Sequence, residues 1–235
     1  HVFYGALYHG FVLLTNRRYR NFRPHRDLGV GKEFQIYLRR LLLMPAQAIE
    51  RRLATLRVRH GGFPYHLALL QLEHDSSFQA HSPFSTMTEF LECVIEGFAA
   101  GAPPHHHLVI KAHPLEDGRA PIRRELRRLS RAHGVPDRVH YVRGGKLAQL
   151  LDEARSAVTV NSTAGQQVLW RGIPLRTFGA AVYAKPEFVS QKPLPEFFAG
   201  AERPDRRAYT DYRRFLLETS QVAGGFYSAR GRRQL

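Results

Sequence analysis

Lys111 and His113 stand two residues apart in the segment LVIKAHPLEDG, where a short apolar run ends. In a strand, residues at this spacing project from the same side. An ammonium group beside an imidazole can offset the negative charge of a phosphate, so the pair predicts an anion site facing a ligand crevice. An alternative stays open on this segment alone: Lys111 is a solvated charge and His113 a turn residue before Pro114.

A second polar run, NSTAG at 161–165, lies between the apolar segment SAVTV and the amphipathic segment QQVLW. The free N–H groups and the dipole of a helix start, with the hydroxyls of Ser162 and Thr163, suit a phosphate. Asn161 and Gly165, at the two ends of this run, are the other residues of the candidate phosphate site. Ordinary N-capping by Ser162 or Thr163 is the commoner use of such residues and needs no ligand. Two candidates at successive crossovers together favour a nucleotide-binding or phosphate-binding site.

The segment QLEHDSSFQAHSPFS, at 71–85, is unusually polar for a connection between a strand and a helix. We expect it to line the same crevice. Within it, Asp75 is either a general base or the cap of a turn, and its composition alone does not decide between the two roles.

The elements that position these residues follow from hydrophobic periodicity. Short apolar runs alternate with amphipathic stretches from HLALLQL through to PLRTFG, in the order βαβαβαβαβ. This alternation predicts an α/β domain with a mostly parallel sheet, helices on both faces and ligands beyond the carboxyl ends of the strands. Thr86 and Glu89 form a capping-box pattern at the start of one helix.

Three parts of the chain are predicted. Residues 1–64 are mostly helical, with one kinked helix or two helices over residues 31–58, where a proline interrupts the helical spacing. Residues 65–204 form a Rossmann-like nucleotide-sugar-binding domain, and residues 205–235 form a helix and a basic tail. Because the chain opens at His1 inside an apolar stretch, we expect the first part to be the remnant of an N-terminal domain.

The charge balance restricts the partners. The 235 residues include 35 Lys and Arg against 20 Asp and Glu, which gives a net charge of +15. This excess excludes an acidic solvating tail and a carboxylate metal cage, and it favours an anionic partner such as a membrane surface or a nucleotide. No DNA-reading or RNA-reading motif is recognisable, so we expect no nucleic-acid partner.

No metal site and no disulfide are predicted. Cys93 is the single cysteine, which fits a role as core filler in a reduced, cytosolic setting. His105, His106 and His107 follow two prolines, and because adjacent histidines there cannot all face one ion, a solvated loop is favoured over a metal tract. The apolar runs fall far short of the roughly 20 residues of a membrane-spanning helix.

In this order, the segments LVIKAHPLEDG, RVHYV, LAQLL, VTVNSTAG, GIPLRTFGAAVY and QVAGGFY resemble the bacterial capsule polysaccharide biosynthesis family. Within that family they are most similar to the Kdo transferases that start the lipid-linked capsule anchor. Upstream, LLQLEHDSSFQAHSPFSTMTEF resembles the family's Gln, Asp-Ser and His-Ser-Pro-Phe segment. The resemblance covers about residues 65–228, and the order and spacing of its motifs make it specific.

The resemblance implies a GT-B-type glycosyltransferase whose C-terminal, Rossmann-like half binds CMP-Kdo as the donor, with no metal or other cofactor. His113 and Pro114 match the family's His-Pro motif, in which the histidine contacts the CMP phosphate. Ser162 and Thr163 match its Ser/Thr motif, which holds the same phosphate. The adjoining matched positions are Lys111 and Glu116.

The catalytic and acceptor candidates follow from the same resemblance. CMP is the leaving group, and His113 is placed to offset the charge that develops on its phosphate. Asp75 and Glu116 are the candidate carboxylates for the acid or base that handles the acceptor hydroxyl. The candidate contacts with the sugar or the acceptor are Gln71, Ser76, His81 and Ser82.

Departures from the family pattern concern specificity more than fold. Ser77 stands where Gln is expected, Gln166 and Gln167 occupy positions that are usually apolar, and Phe198 replaces a Trp. We also expect the chain to lack the N-terminal domain that supplies the other wall of the cleft, and so to be incomplete as a catalyst.

The resemblance therefore predicts transfer of Kdo from CMP-Kdo to a lipid acceptor of lysophosphatidylglycerol type. The expected setting is peripheral, at the cytoplasmic face of the inner membrane of a Gram-negative bacterium, with anionic phospholipid and a capsule synthesis or export complex as partners. Two alternatives stay open. One is another GT-B or epimerase enzyme that uses UDP, and the other is a non-catalytic module for capsule assembly or anionic-lipid binding.

Overall fold

A computed structural model of the protein describes residues 2–15, 29–116, 120–143 and 146–221. The strands are β1 (Tyr65–Leu69), β2 (His107–Lys111), β3 (Val139–Val142), β4 (Ala154–Thr159) and β5 (Leu175–Thr177). The helices are α1 (Val2–Thr15), α2 (Val30–Arg59), α3 (Ser76–His81), α4 (Met87–Gly101), α5 (Ile122–Ala132), α6 (Leu147–Leu151), α7 (Gly165–Trp170), α8 (Leu194–Gly200) and α9 (Arg206–Thr219).

These strands form one parallel sheet in the order β3-β2-β1-β4-β5. The chain moves outward from β1 to β3 and then returns to the other side of β1, so the strand order reverses between β1 and β4. The register aligns Leu69 of β1 with Lys111 of β2 and with Thr159 of β4. The predicted Rossmann-like α/β fold is confirmed, and ligands of such sheets bind at this reversal.

Alternate residues of the central strands face opposite layers of helices, as the side-chain period of a strand requires. On one face, Ala68 and Ile110 pack with the apolar sides of α4, α5 and α8. On the other face, Leu67 and Val109 pack with residues of α6, α7 and α9 and with Val58 of α2. The prediction of helices on both faces is also confirmed.

The residues ahead of the sheet form a pair of helices, α1 and α2, that pack against each other. The stretch predicted as one kinked helix or two is a single helix with Pro45 inside it. Its 30 residues extend about 45 Å, at the usual rise of an α-helix. Its last turns reach the sheet, where Thr55 and Val58 are buried.

Within the described residues, no helix combines the length and the apolar character that crossing a membrane would require.

Helix α9 lies where a C-terminal helix is predicted. The carboxylate of Asp205 caps it by accepting hydrogen bonds from the backbone N–H groups of Arg207 and Ala208, both at 2.9 Å. Tyr209 is buried, and its hydroxyl donates to the carbonyl of Gln166 at 3.1 Å, which ties α9 to α7. The predicted basic tail and most of the motif QVAGGFY lie at 222–235, outside the described residues.

Candidate functional site

Three strand ends meet in one row at the carboxyl edge of the sheet. The last residues of β1, β2 and β4 are aligned, so the residues two positions further on, Gln71, His113 and Asn161, leave neighbouring strands at the same level. This is the edge at which the strand order reverses between β1 and β4. The structure thus brings together three segments selected separately in the sequence, 71–82, 111–116 and 161–165.

Gln71 and Asn161 form a buried pair, here called the amide clamp. Gln71 Nε2 donates to Asn161 Oδ1 at 2.7 Å, and the backbone N–H of Asn161 donates to Gln71 Oε1 at 2.9 Å. Asn161 Nδ2 also donates to the carbonyl of Ser77 at 2.8 Å. The two side chains therefore join the ends of β1 and β4, and the predicted contacts of Gln71 with the acceptor and of Asn161 with the nucleotide stay predictions.

The ring of His113 is oriented by its own loop, because the backbone N–H of Leu115 donates to Nδ1 at 3.1 Å. Burial lowers the pKa of His113; Asp75 opposes this shift, and Lys111 and His74 reinforce it. The imidazole is therefore neutral at pH 7, and since Nδ1 accepts, the proton sits on Nε2. His113 can donate one hydrogen bond from Nε2 to a phosphate oxygen.

Lys111 is buried, with 4% of its surface exposed. Its Nζ donates to the carbonyl of Ala112 at 2.9 Å. Burial, followed by the charge of Arg51, lowers the pKa of Lys111 to about 8. The alternative of a solvated charge is therefore wrong, and the expectation that Lys111 acts on a bound phosphate stays a prediction. Its positive charge nevertheless acts on His113, whose pKa it helps to lower.

The hydroxyl run after β4 is tightly packed. Helix α7 begins at Gly165, and Ser162 Oγ accepts from the backbone N–H of Ala164 at 3.2 Å, one residue ahead of the helix. The hydroxyl of Tyr183 donates to the carbonyl of Ser162 and lies so close to Gly165 that a Cβ there would overlap it. Gly165 thus allows close packing against Tyr183, and its predicted nucleotide contact stays a prediction. Thr163 is exposed at the edge.

Asp75 caps a short helix that was not predicted. Its carboxylate accepts from the backbone N–H of Ser77 at 3.2 Å, at the start of α3. The side chain is exposed, and its charge acts on His113 to raise the pKa of that ring. The capping alternative is therefore realised, and the carboxylate stands near the candidate phosphate donor as well.

The other acceptor candidates divide into two groups. Ser76 and His81 are exposed. Ser82 Oγ accepts from the backbone N–H of Phe84 and donates to its carbonyl, both at 2.9 Å, so Ser82 stabilises a turn, and its predicted ligand contact stays a prediction. The carbonyl of His81 accepts from the backbone N–H of Ala180 at 3.0 Å, which ties the end of α3 to the loop after β5.

Glu116 lines a small cavity of about 150 Å³ beside the row of strand ends. Gln71, Glu73 and His74 line the same space. The carboxylate of Glu73 accepts from the backbone N–H of Met87 at 2.7 Å, so it is committed to the start of α4. A volume of this order fits a group no larger than a benzene ring, so this cavity is a side pocket of the crevice and not the seat of a nucleotide.

Helix α2 contributes positive charge to this edge, which was not predicted. Arg40 donates to the carbonyl of Pro114 at 3.3 Å, and the charge of Arg51 acts on Lys111. The two arginines lie about three helical turns apart and therefore on the same side of α2. The spacing of Arg40 and Arg51 can be read from the sequence, but the sequence does not show that α2 packs at this edge of the sheet.

The histidine run pairs with other histidines. His106 Nδ1 lies 2.9 Å from His66 Nε2, and His107 Nδ1 lies 2.7 Å from His140 Nε2. Only His105 is exposed as the predicted solvated loop requires. In the part of the chain that the structure describes, no group of three or more His, Cys, Asp or Glu could hold a metal ion. Cys93 packs against the core, and burial raises the pKa of its thiol.

A family model described as capsule polysaccharide biosynthesis protein matches residues 5–227. The chain belongs to the capsule polysaccharide biosynthesis family. The resemblance seen in the sequence motifs is therefore confirmed. The match begins within α1 and includes α2, so the residues ahead of the sheet lie in the matched length as well.

Two named relatives in this capsule family are similar over much of the chain. The chain is 34% identical over 163 residues to the capsule polysaccharide export protein KpsS of Escherichia coli, which covers 69% of this chain and 42% of that protein. It is 30% identical over 214 residues to the capsule polysaccharide modification protein LipB of Neisseria meningitidis, which covers 90% of this chain and 51% of that protein. The chain thus spans about half the length of these relatives.

Solved structures with a partial likeness include a KpsC β-Kdo 2,7 transferase from Thermosulfurimonas dismutans. That likeness has a TM-score of 0.42 at 20% identity and covers 82% of this chain and 55% of that one. WaaG, a glycosyltransferase involved in lipopolysaccharide biosynthesis, has a TM-score of 0.40 at 18% identity, over 73% of this chain and 47% of that one.

Proposed function

We propose that this chain is the donor-binding half of a capsule glycosyltransferase that transfers Kdo from CMP-Kdo to a lipid acceptor of lysophosphatidylglycerol type. The observation that carries the proposal is the carboxyl edge of the sheet, where the N–H donor of His113 after β2 and the hydroxyls after β4 lie on either side of the end of β1, beside the strand-order reversal. This chemistry suits a phosphodiester, and the chain is a member of a capsule biosynthesis family.

The donor phosphate is stabilised by several groups that are already in place. His113 donates from Nε2, and Ser162 and Thr163 offer hydroxyls from the end of β4, on the other side of β1. The buried charge of Lys111 and the arginines of α2 raise the local potential without direct contact. Because these groups are held by the protein, they stabilise the charge that develops on CMP at no cost of reorganisation.

In the transfer step, the oxygen of the acceptor hydroxyl forms a bond to the anomeric carbon of Kdo. The bond between that carbon and the phosphate oxygen breaks, and its electron pair leaves with CMP. Asp75 takes the proton of the hydroxyl, since its carboxylate is exposed and its charge reaches His113. Glu116, which lines the side pocket, is the less accessible carboxylate.

The proposed location at a membrane rests on the net charge of the chain, and the proposed second domain rests on the chain's length relative to the named relatives. The net charge of +15 favours a membrane surface rich in anionic lipid, in keeping with a peripheral site at the cytoplasmic face of the inner membrane. The chain spans about half of the named relatives, so a second domain in a GT-B arrangement would supply the other wall of the cleft. A capsule synthesis or export complex is the proposed assembly.

A transfer assay tests the proposal. The protein together with its proposed second domain is incubated with CMP-Kdo and lysophosphatidylglycerol, and both free CMP and the mass of the lipid are measured. We expect CMP release and a lipid heavier by one Kdo residue. His113→Ala should lower both by about tenfold or more, because a charge-assisted hydrogen bond is lost. His113→Gln should retain part of the rate, since its amide N–H can replace Nε2–H.

His105→Ala serves as the matched control, because His105 is exposed ahead of β2, at the opposite end of the sheet. Its rate should equal that of the unchanged protein. A protein that releases no CMP and modifies no lipid contradicts the transfer. Turnover of a UDP-sugar instead would favour another GT-B enzyme.

One alternative from a different class has a specific observation behind it, because one relative is named an export protein. A non-catalytic assembly or lipid-binding module would bind anionic vesicles without binding nucleotide. Its binding would be unchanged in the His113→Ala and Ser162→Ala variants.

A further inference from the structure

A cavity of about 910 Å³ opens at the other end of the sheet, where β1, β4 and β5 begin. The connections that lead into these three strands line it, together with the end of α8. We call it the amino-edge cavity. Its volume lies in the range of pockets that bind small organic ligands, and it is much larger than the side pocket beside Glu116.

The walls of the amino-edge cavity carry an excess of arginine. Arg59, Arg155, Arg171 and Arg203 line it, against two carboxylates, those of Asp152 and Glu153. Arg171 Nε lies 3.5 Å from Asp152 Oδ1, so the carboxylate of Asp152 is paired with Arg171. Among the residues that the structure describes, the other three arginines make no ion pair. The cavity therefore has more guanidinium groups than its own carboxylates can neutralise.

The floor of the cavity is polar but uncharged. His66 Nδ1 lies 2.7 Å from Ser156 Oγ, and His66 Nε2 lies 2.9 Å from His106 Nδ1. Burial lowers the pKa of His66 to about 3 and also lowers the pKa of His106, and Arg155 contributes to both shifts. These rings supply hydrogen-bonding groups at pH 7 without adding charge, and Arg155 stands beside them.

Apolar groups complete the lining. The ring of Phe63 is stacked on that of His107 at a centroid distance of 3.9 Å and is thereby fixed in place at the cavity wall. Pro64 and Ile173 also contribute to the lining. A cavity with a fixed apolar wall and several guanidinium forks is suited to a ligand that has both a carbon skeleton and anionic groups.

We infer that the amino-edge cavity binds a small polyanion that carries at least two carboxylate or phosphate groups. The guanidinium groups of Arg59 and Arg155 bind its anionic groups, and the walls of Phe63 and Pro64 contact its skeleton. The site is separate from the donor crevice, because the strands place the two edges of the sheet roughly 15 to 20 Å apart.

Two sources can present this chemistry, an acidic saccharide and a free polyphosphate, and three probes distinguish them. The protein is titrated by calorimetry with trigalacturonate, inorganic tripolyphosphate and neutral maltotriose, at about 150 mM NaCl to screen weak surface attraction. We expect an anionic probe to bind and maltotriose not to bind. Preference for trigalacturonate over tripolyphosphate would identify the saccharide as the source.

Substitutions locate the binding. Arg155→Gln and Arg59→Gln should each weaken the anionic probe by about tenfold, because each removes a charge-assisted pair. Arg131→Gln is the matched control, since Arg131 is exposed on α5 and the change in net charge is the same. CMP affinity should be unchanged in Arg155→Gln, which keeps this test independent of the donor site. Failure of both anions to bind, or an equal loss in the Arg131→Gln control, would overturn the inference.

Discussion

His113 shows how far a residue's type predicts its chemistry. Its position after β2 in a His-Pro pair was enough to select it from the sequence. Which ring nitrogen carries the proton depends on the N–H of Leu115, and that contact exists only once the loop has folded. The donor atom aimed at a phosphate could therefore not be predicted from the motif.

Asp75 provides a test of the proposed base, because Asn is as good an N-cap as Asp. Asp75→Asn should keep the hydrogen bond to Ser77 N–H and the start of α3, while it removes the charge that accepts the proton. We expect the turnover number for transfer to fall by about a hundredfold or more and the affinity for CMP to stay within about twofold. Unchanged turnover would remove Asp75 from the mechanism.

Lys111 predicts a pH dependence. Its pKa in the free protein is lowered to about 8, so the ammonium loses its proton as the pH rises through that value. Bound phosphate favours the protonated form, so CMP affinity should be constant below pH 8 and fall by about tenfold or more by about pH 9.5. His113 stays neutral across this range and adds no slope. Calorimetric titration with CMP at a series of pH values measures this change in affinity.

Lys111→Met is the control for this dependence. The variant should bind CMP more weakly at pH 7, because the buried charge is gone, and its affinity should not change above pH 8. A fall in affinity of the same size in the variant would assign the titration to another group.

At the scale of elements, the strands and most helices could be predicted because their signals are local. Short apolar runs gave the strands, and Thr86 caps α4 by accepting from the backbone N–H of Glu89 at 3.2 Å, as its pattern predicted. The amide clamp could not be predicted. Gln71 and Asn161 are far apart in sequence and meet only because the register aligns β1 with β4.

The amide clamp should be worth measurable stability. Gln71→Leu leaves the Oδ1 and the backbone N–H of Asn161 buried without their partner. Each buried unsatisfied group costs about 1–3 kcal/mol, so the free energy of unfolding should fall by about 2–6 kcal/mol. Gln79→Leu is the control, because Gln79 is exposed on α3 and should change it by about 0.5 kcal/mol or less. Urea unfolding measures the free energy of unfolding of both variants.

A double-mutant cycle with Asn161→Leu separates the pair from its surroundings. The double variant should lose clearly less stability than the sum of the two single variants, because both partners of one interaction are removed. Additive losses would show that the two side chains act independently and that the clamp does not join the strand ends.

At the scale of the whole molecule, the position of α2 against the sheet is the main feature that could not be predicted from the sequence. Local periodicity identified the helix but treated it as the remnant of another domain. Its arginines lie at the carboxyl edge, where Arg40 donates to the carbonyl of Pro114 and Arg51 acts on Lys111. Long-range packing of this kind leaves no local pattern, so charge from α2 joined the site only in the folded molecule.

The two proposed anion sites are separated by the length of the strands. The donor crevice lies beyond the carboxyl ends, and the amino-edge cavity lies before the strands begin. Motifs in the sequence marked only the first, because its polar residues cluster in short segments. The arginines of the second lie in four separate segments, at the end of α2, at the start of β4, after α7 and after α8, and have no common pattern.

Calorimetric titration of the protein with CMP is the most direct test of a donor phosphate bound at the carboxyl edge, with UDP as the comparison. We predict that CMP binds, that UDP binds at least about tenfold more weakly, and that His113→Ala lowers the CMP affinity by about tenfold. His105→Ala should leave it unchanged. No CMP binding by the folded protein, or equal CMP affinity in His113→Ala, would contradict the assignment of this edge to a CMP-sugar donor.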